Sequence, residues 1–490
     1  MKQTTRSLVT TLIVLGVAAA VGGAALWVTR DTAKKTEQKD KSAKLFAGVD
    51  KAKVRQVKLV RDGKLVAVVS RTDASAPWKI AEPVATDADS ATVGALVDSV
   101  ESLKQKSEIG DADPKQYGLD KPAIVVSVKT DDGKEEAVEF GESNPFDSSV
   151  YVRKQGDKTV RIADGWMKSS FEKQLFDLRD KQVLHVDLDA DVRRIEVAGT
   201  SPAYTLEKDS GSWKLVAPQK EAADPSTADA VASLVKSLRA TAIAAESADV
   251  AALKQYGLAP AKITAQVTVA TEGGKDTFRR TLLLGQPAPQ KGSVAVKTYA
   301  KRDNSPIVFE VDQQVLKDLQ KSVFDLQDKA LVHVNREDVR KIVFEQPGSP
   351  KIVVERKKEQ PKDGGVADET FAVLEPKAGP AKKWKVSNTL YSLSGLRATA
   401  FVAKPDPKAL AGARTVTLLG DGDKVLARVR IGAETKDGKH RYASSESMSR
   451  VAEVDKGTVD DFPKTLDDVL EAPPPAPPSA DAGAASQAAK

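Results

Sequence analysis

Four markers recur in one order three times along this chain. Trp78-Lys79-Ile80, Trp213-Lys214-Leu215 and Trp384-Lys385-Val386 each open a similar run. A short apolar helical pattern follows, then an apolar-Gly step at Phe140-Gly141, Leu284-Gly285 and Ile431-Gly432. A tyrosine-bearing strand comes last, at Tyr151, Tyr299 and Tyr442. A residue present in every copy answers to the fold of the repeated module rather than to a unique active site. The pattern therefore specifies architecture and names no reaction.

Composition agrees with a repeat. At 490 residues the chain exceeds one ordinary core and divides into about three domains. The absence of cysteine excludes a disulfide framework, a thiolate metal site, a cysteine nucleophile and a lipid anchor at a cysteine. The 75 basic and 69 acidic residues form a mixed, solvated surface with a net charge of only +6, which argues against a nucleic-acid partner.

The N-terminus carries a second signal. Leu8 to Val28 is a run of 21 residues without a charge, flanked by Lys2, Arg6 and Arg30. At 1.5 Å per residue it spans a bilayer core, and it exceeds the 7–15 apolar residues of a signal peptide. Ala18, Ala20, Gly23 and Ala25 would also serve a cleavage site, but an uncleaved transmembrane helix at 8–28 is expected. Counted alone, two basic residues before the span and six from Arg30 to Lys44 place the large domain in the cytoplasm. Asp31, Glu37 and Asp40 interleave with those six, however, and large domains translocate despite such charges. The soluble part is expected outside.

The chain then divides into a juxtamembrane tether (29–45), module one (46–182), module two (183–328), a divergent module three (329–471) and a Pro/Ala/Ser tail (472–490) whose composition cannot build a core. Each module opens with an alternating strand: Val54-Arg55-Gln56-Val57, Val192-Arg193-Arg194-Ile195 and Val339-Arg340-Lys341-Ile342. A second strand and the Trp-Lys-apolar strand follow. Val93, Leu96, Val97 and Val100 then lie at helical spacing, as do Val231, Leu234, Val235 and Leu238; Leu390, Leu393 and Leu396 keep that face in module three, where Gly395 weakens the helix. Lys115-Gln116-Tyr117-Gly118-Leu119 matches Lys254-Gln255-Tyr256-Gly257-Leu258, a turn that module three lacks. A closing helix carries Phe171, Leu175 and Phe176, then Val315, Leu319 and Phe324, then Phe462 and Leu466. Phe176-Asp177-Leu178-Arg179-Asp180-Lys181 recurs as Phe324-Asp325-Leu326-Gln327-Asp328-Lys329 at the joins. The expected class is α+β: three tandem repeats, each a mostly antiparallel sheet with two helices, after the transmembrane helix.

No residue set stands out as catalytic, cofactor-binding or metal-ligating. His185 and His333 hold equivalent places at the joins and read as packing or hydrogen-bonding residues, and His440 reads as a surface strand residue. Asp187, Asp189 and Asp191 alternate like a calcium loop, but Val192 and Ala198 stand where the turn glycine and the bidentate glutamate belong. Asp87, Asp89, Asp111 and Asp113 read as helix caps and turns. Gly273-Gly274-Lys275 lacks the other elements of a phosphate loop. Arg356, Lys357, Lys358 and Lys362, running into Gly364-Gly365, read as a solvated hairpin tip, with anionic lipid or an acidic partner as the functional reading.

These motifs together resemble the bacterial domain of unknown function 4340, over nearly everything from Val54 to Leu470 and best in modules one and two. Members of that family are often encoded beside components of an ABC-type transport system related to gliding-motility auxiliary proteins. The resemblance implies a membrane-anchored accessory protein facing the envelope space, and supplies no catalytic residues. The expectation is a non-enzymatic, single-span protein of the bacterial inner membrane whose periplasmic modules act as adaptor or scaffold for a transport complex. The alternative is a module that binds or processes an envelope polymer such as a glycan, and a mechanical spacer is the third reading.

Overall fold

The computed structural model describes residues 44–472 other than 47, 272–276, 290–295, 360–367 and 449. The expected transmembrane helix, most of the tether and the tail, Gly273-Gly274-Lys275, and the Lys362 to Gly365 end of the basic stretch lie outside these residues. Among those described, no helix is long and apolar enough to cross a membrane.

Alternating strands and one amphipathic helix per repeat build the same unit three times. In module one, strands one to four are Val54–Arg61, Lys64–Ser70, Lys79–Glu82 and Thr86–Asp87. The long helix Ser90–Ser102 follows, then strands five to nine: Gln105–Asp111, Ile124–Thr130, Glu135–Ser143, Val150–Lys154 and Thr159–Ala163. They form one nine-stranded sheet in the order 4-3-2-1-6-7-8-9-5, and the same order recurs in the sheets that begin at Val192 and Lys341. Every pairing is antiparallel. Strands four and five are thus the two edges of each sheet.

The helix covers one face of the sheet; the stripe read from periodicity is the buried one in module one, whereas in module two Leu234 is half-buried and Leu238 caps the helix, and in module three Leu396 lies beyond the helix. Val93, Leu96, Val97 and Val100 are buried in module one, and Ala228, Val231, Ala232 and Val235 in module two. Module three buries Val386, Thr389, Leu390 and Leu393. An aspartate caps the first two helices: Asp89 accepts from the Thr92 amide and Asp224 from the Thr227 amide, satisfying donors a helix start leaves unpaired.

The apolar-Gly step has one cause in all copies. A Cβ on Gly141 would sit 2.1 Å from the Tyr117 carbonyl oxygen, on Gly285 2.1 Å from that of Tyr256, and on Gly432 2.0 Å from that of Ala409. The turn before strand six is pressed against strand seven, and only glycine leaves room. Within that turn Gly118 and Gly257 adopt φ of +67° and +66°, the left-handed region glycine favours. The tyrosine of the turn also meets the tyrosine of strand eight, with ring centroids 4.8 Å apart for Tyr117–Tyr151 and 4.6 Å for Tyr256–Tyr299. Ala409 removes this contact from module three.

Four expectations need correction. Trp384-Lys385-Val386 is not a strand but the first turn of the helix Lys383–Ser394, where Trp384 is exposed; Trp78 and Trp213 are buried. The true counterpart is Phe371, whose carbonyl accepts from Ala381 as those of Trp78 and Trp213 accept from Ala88 and Ala223. Gly395 caps the third helix rather than weakening it. The closing helix is two short pieces, Gly165–Phe171 and Leu175–Leu178 in module one. The second piece starts anew because Asp177, Asp325 and Asp468 each accept the backbone N–H three residues before them, at 2.8, 2.9 and 2.9 Å. Arg356, read as part of a solvated tip, is buried: it pairs with Glu369 and donates to the Arg336 carbonyl. Lys357 pairs with Glu355 on the same strand, which hydrogen-bonds to strand Asp368–Glu375.

Candidate functional site

The modules meet through one arrangement used twice. After the closing helix the chain passes the N-terminus of its own long helix and then the C-terminus of the next. At the first join the Asp89 amide donates to the Leu178 carbonyl (2.9 Å) and the Asp180 amide to Asp87 (3.0 Å). The Val183 amide then donates to Leu238 (3.0 Å), at the end of module two's helix. At the second join Asp224 to Leu326, Asp328 to Ala222 and Leu331 to Leu396 repeat this at 2.9, 3.0 and 2.9 Å. The strand-four side of one module therefore faces the strand-five side of the next.

A charge pair crosses each join at the same position. Arg239, just after module two's helix, bonds the helix-capping Asp89 of module one at 3.0 Å. Arg397, just after module three's helix, bonds the capping Asp224 of module two. Burial pushes the Asp224 carboxyl up, but hydrogen bonds from Ser226 and Thr227 and the Arg397 guanidinium outweigh it and bring it down to about 2. Position 382 is lysine, so module three lacks this acceptor and its helix has no side-chain cap. The first join adds Arg179, 3% exposed, which holds Glu246 through two bonds of 3.1 and 2.6 Å.

The repeated hexapeptide organises the joins locally. Lys181 lies over the Phe176 ring at 5.3 Å and Lys329 over Phe324 at 5.1 Å. His333 bonds Asp328 at 2.6 Å, whereas His185 stands 3.6 Å from Asp180. Burial lowers the His185 pKa, with the charge of Arg302 acting in the same direction. Lys329 is lowered by burial as well.

The second join holds a cleft of ≈500 Å³, lined among others by Trp213, Glu221, Asp229, Asp328, His333 and Arg450. Residue exchanges between the joins explain its shape. Strand pairing places Arg302 opposite Leu282 in module two and Ser445 opposite Val429 in module three, so a serine replaces an arginine at the same point. The loop after that strand then brings Arg450, rather than Ile307, to the join, where it pairs with Glu221. Asp229 accepts from the Trp213 indole at 2.7 Å, and Asp328 is held by His333. Each of these three carboxylates is thus already bonded within the protein, and Ala222, Pro225 and Met448 line the recess beside the polar groups.

The other sequence candidates fall elsewhere. His440 bonds Asp437 at 3.0 Å in a turn before its strand. Asp191 pairs with Arg193 at 2.8 Å, and Asp187 begins a turn. Asp89 and Asp113 are caps, as read, whereas Asp87 and Asp111 end strands. Among the described residues no group of three or more His, Asp or Glu side chains could hold a metal ion. Sequence reasoning missed Arg239, Arg397, Glu221, Glu246 and Arg450. Arginine directly after the helix in two copies, with aspartate at both helix starts, was the available signal for the first pair.

Comparison with known proteins finds no matching curated protein and no matching solved structure. One family matches twice, over residues 78–249 and 213–414. Each match begins at a buried tryptophan, Trp78 or Trp213, and runs through one whole join into the following module. With most of its length matched, the chain belongs to the family described as Domain of unknown function (DUF4340).

Proposed function

We propose that this protein is a non-enzymatic adaptor or scaffold of an ABC-type transport complex, anchored in the bacterial inner membrane by residues 8–28 with its modules in the periplasm. The observation that carries this reading is the join. The same backbone bonds and the same cap-to-arginine pair recur at both module contacts, so neighbouring units dock on one another rather than hang as beads on a string. Tandem modules docked in this way present a long surface for an extended partner.

A second reading keeps a specific observation behind it. The ≈500 Å³ cleft at the second join combines the Trp213 ring with charged side chains, a mixed lining of the kind that holds a sugar. One experiment separates the two: crosslinking in intact cells, affinity purification through the C-terminus, and mass spectrometry. Recovery of permease and ATPase subunits is the expected outcome. Recovery of the protein alone rejects the scaffold reading, and recovery with glycan replaces it by the second.

A further inference from the structure

Module one exposes two aromatic side chains beside the point where the tether enters. Phe146 is 96% exposed and Trp166 61%. Lys44, the first described residue, bridges to Lys104, and the Leu45 amide donates to Leu103 at 2.9 Å. The next residue, Gln105, pairs with Ala163 on strand nine, three positions before Trp166. Lys106 bonds Asp164, the residue between strand nine and the Trp166 helix, at 3.3 Å. A Cβ on Gly165 would meet the Ser148 carbonyl at 1.8 Å, so the turn carrying Phe146 packs directly against the start of the Trp166 helix. That turn is held by bonds from the Ser148 amide to the Asn144 carbonyl (3.0 Å) and from the Phe146 amide to the Asn144 side chain (3.0 Å). The ring is displayed from an ordered support.

The repeat shows which side of the module this is. In modules two and three the residue after the long helix, Arg239 or Arg397, bonds the capping aspartate of the preceding module. Module one has the tether there instead. Only residues 29–43 separate that point from the apolar segment, which caps the separation at about 50 Å of chain. A surface held that close to a bilayer meets it at high effective concentration, so weak insertion suffices. Tryptophan and phenylalanine favour the headgroup boundary, where one side of the ring is apolar and the other wet.

We propose that Phe146 and Trp166 dock module one onto the bilayer surface beside its own anchor. This rests on reading residues 8–28 as a membrane span. Charges of both signs flank the rings, with Lys106 paired to Asp164 and Lys168 and Lys173 beside Glu172, so the rings rather than net charge drive the contact. Docking is therefore insensitive to salt and needs no anionic lipid.

The chain has no cysteine, so one introduced thiol can be labelled uniquely. The full chain is reconstituted in phosphatidylcholine vesicles carrying a lipid-borne quencher, with a fluorophore on Ser169→Cys, one turn from Trp166, or on Ser233→Cys in module two as control. Flotation of the vesicles reports the anchor, and quenching reports docking. Expected is flotation, with quenching several-fold stronger at 169 than at 233, unchanged between low and high salt. The Phe146→Ser/Trp166→Ser double variant, whose folding is checked by circular dichroism, should float but lose the difference. Flotation without quenching at 169 overturns the docking while leaving the anchor intact, and so does quenching that survives the double variant. A chain that does not float overturns both. Quenching seen only after a membrane protein is added assigns the rings to a protein surface and rejects the bilayer.

Discussion

The glycine of the apolar-Gly step shows how much one absent carbon decides. Gly141 faces a backbone oxygen, Tyr117 O, and not the movable end of a side chain. Gly141→Ala must therefore displace the turn or the strand, and overpacking of this kind costs about 2 kcal/mol. Gly94 is the control: it lies inside the helix Ser90–Ser102 with nothing within 4 Å of its would-be Cβ. Gly94→Ala should stabilise by up to about 1 kcal/mol through helix propensity alone. Urea unfolding of the full chain followed by fluorescence tests both signs. The sequence announced the step by its recurrence but not its reason, because the opposing carbonyl belongs to a turn more than twenty residues earlier. Recurrence also misled. Trp384-Lys385-Val386 copies three letters of the strand motif, yet Phe371 occupies the buried place and Trp384 is 62% exposed. A three-residue match carries little weight against the burial of a whole strand.

At the scale of elements, the start of the long helix does two jobs. Asp224 caps its own helix and receives Arg397 from the next module, and the two partners lie 173 residues apart. The cap function was read at Asp89, because aspartate before an apolar helical period is a local signal, and the same signal stands at Asp224. Their join function was not, because no local pattern encodes a partner at that separation. The two joins should differ in strength. The Asp224 side chain is 1% exposed and that of Asp89 17%, so the second pair is better shielded from water. Double-mutant cycles with Asp→Asn and Arg→Gln should give a coupling of about 1–3 kcal/mol for Asp224–Arg397. For Asp89–Arg239 the value should fall below about 1 kcal/mol. The sign with pH follows from linkage. The Asp224 carboxyl is depressed from 3.8 to about 2, so its contribution is complete above pH 3.8 and is lost as pH falls through 2. Arg397→Gln should remove only a minor part of that dependence, because the bonds from Ser226 and Thr227 supply most of the depression; Ser226→Ala should flatten the profile more. Equal coupling at the two joins would contradict this account of burial.

For the whole molecule, the joins determine how damage in one module reaches the others. Each module has its own core: Phe140 and Phe171 meet at 5.4 Å inside module one, and the three buried clusters each draw almost wholly on one module's residues. Stability in such an array is approximately a sum of module terms and nearest-neighbour join terms. Module three differs at the equivalent place: where the first two modules offer a capping aspartate to a successor, it has Lys382 and no side-chain cap. Phe140→Ala should cost module one about 3–5 kcal/mol, the price of emptying a fully buried aromatic site. Module two should lose only what the first join contributes, through Asp89–Arg239 and Arg179–Glu246, and module three should be unaffected. Hydrogen exchange read by mass spectrometry resolves this by peptide. Protection should collapse in strands one, six and seven of module one, fall slightly at the start of module two, and stay constant from residue 341 onward. Uniform loss across all three sheets would mean that the joins bind the modules into one cooperative unit, and the nearest-neighbour description would have to be given up.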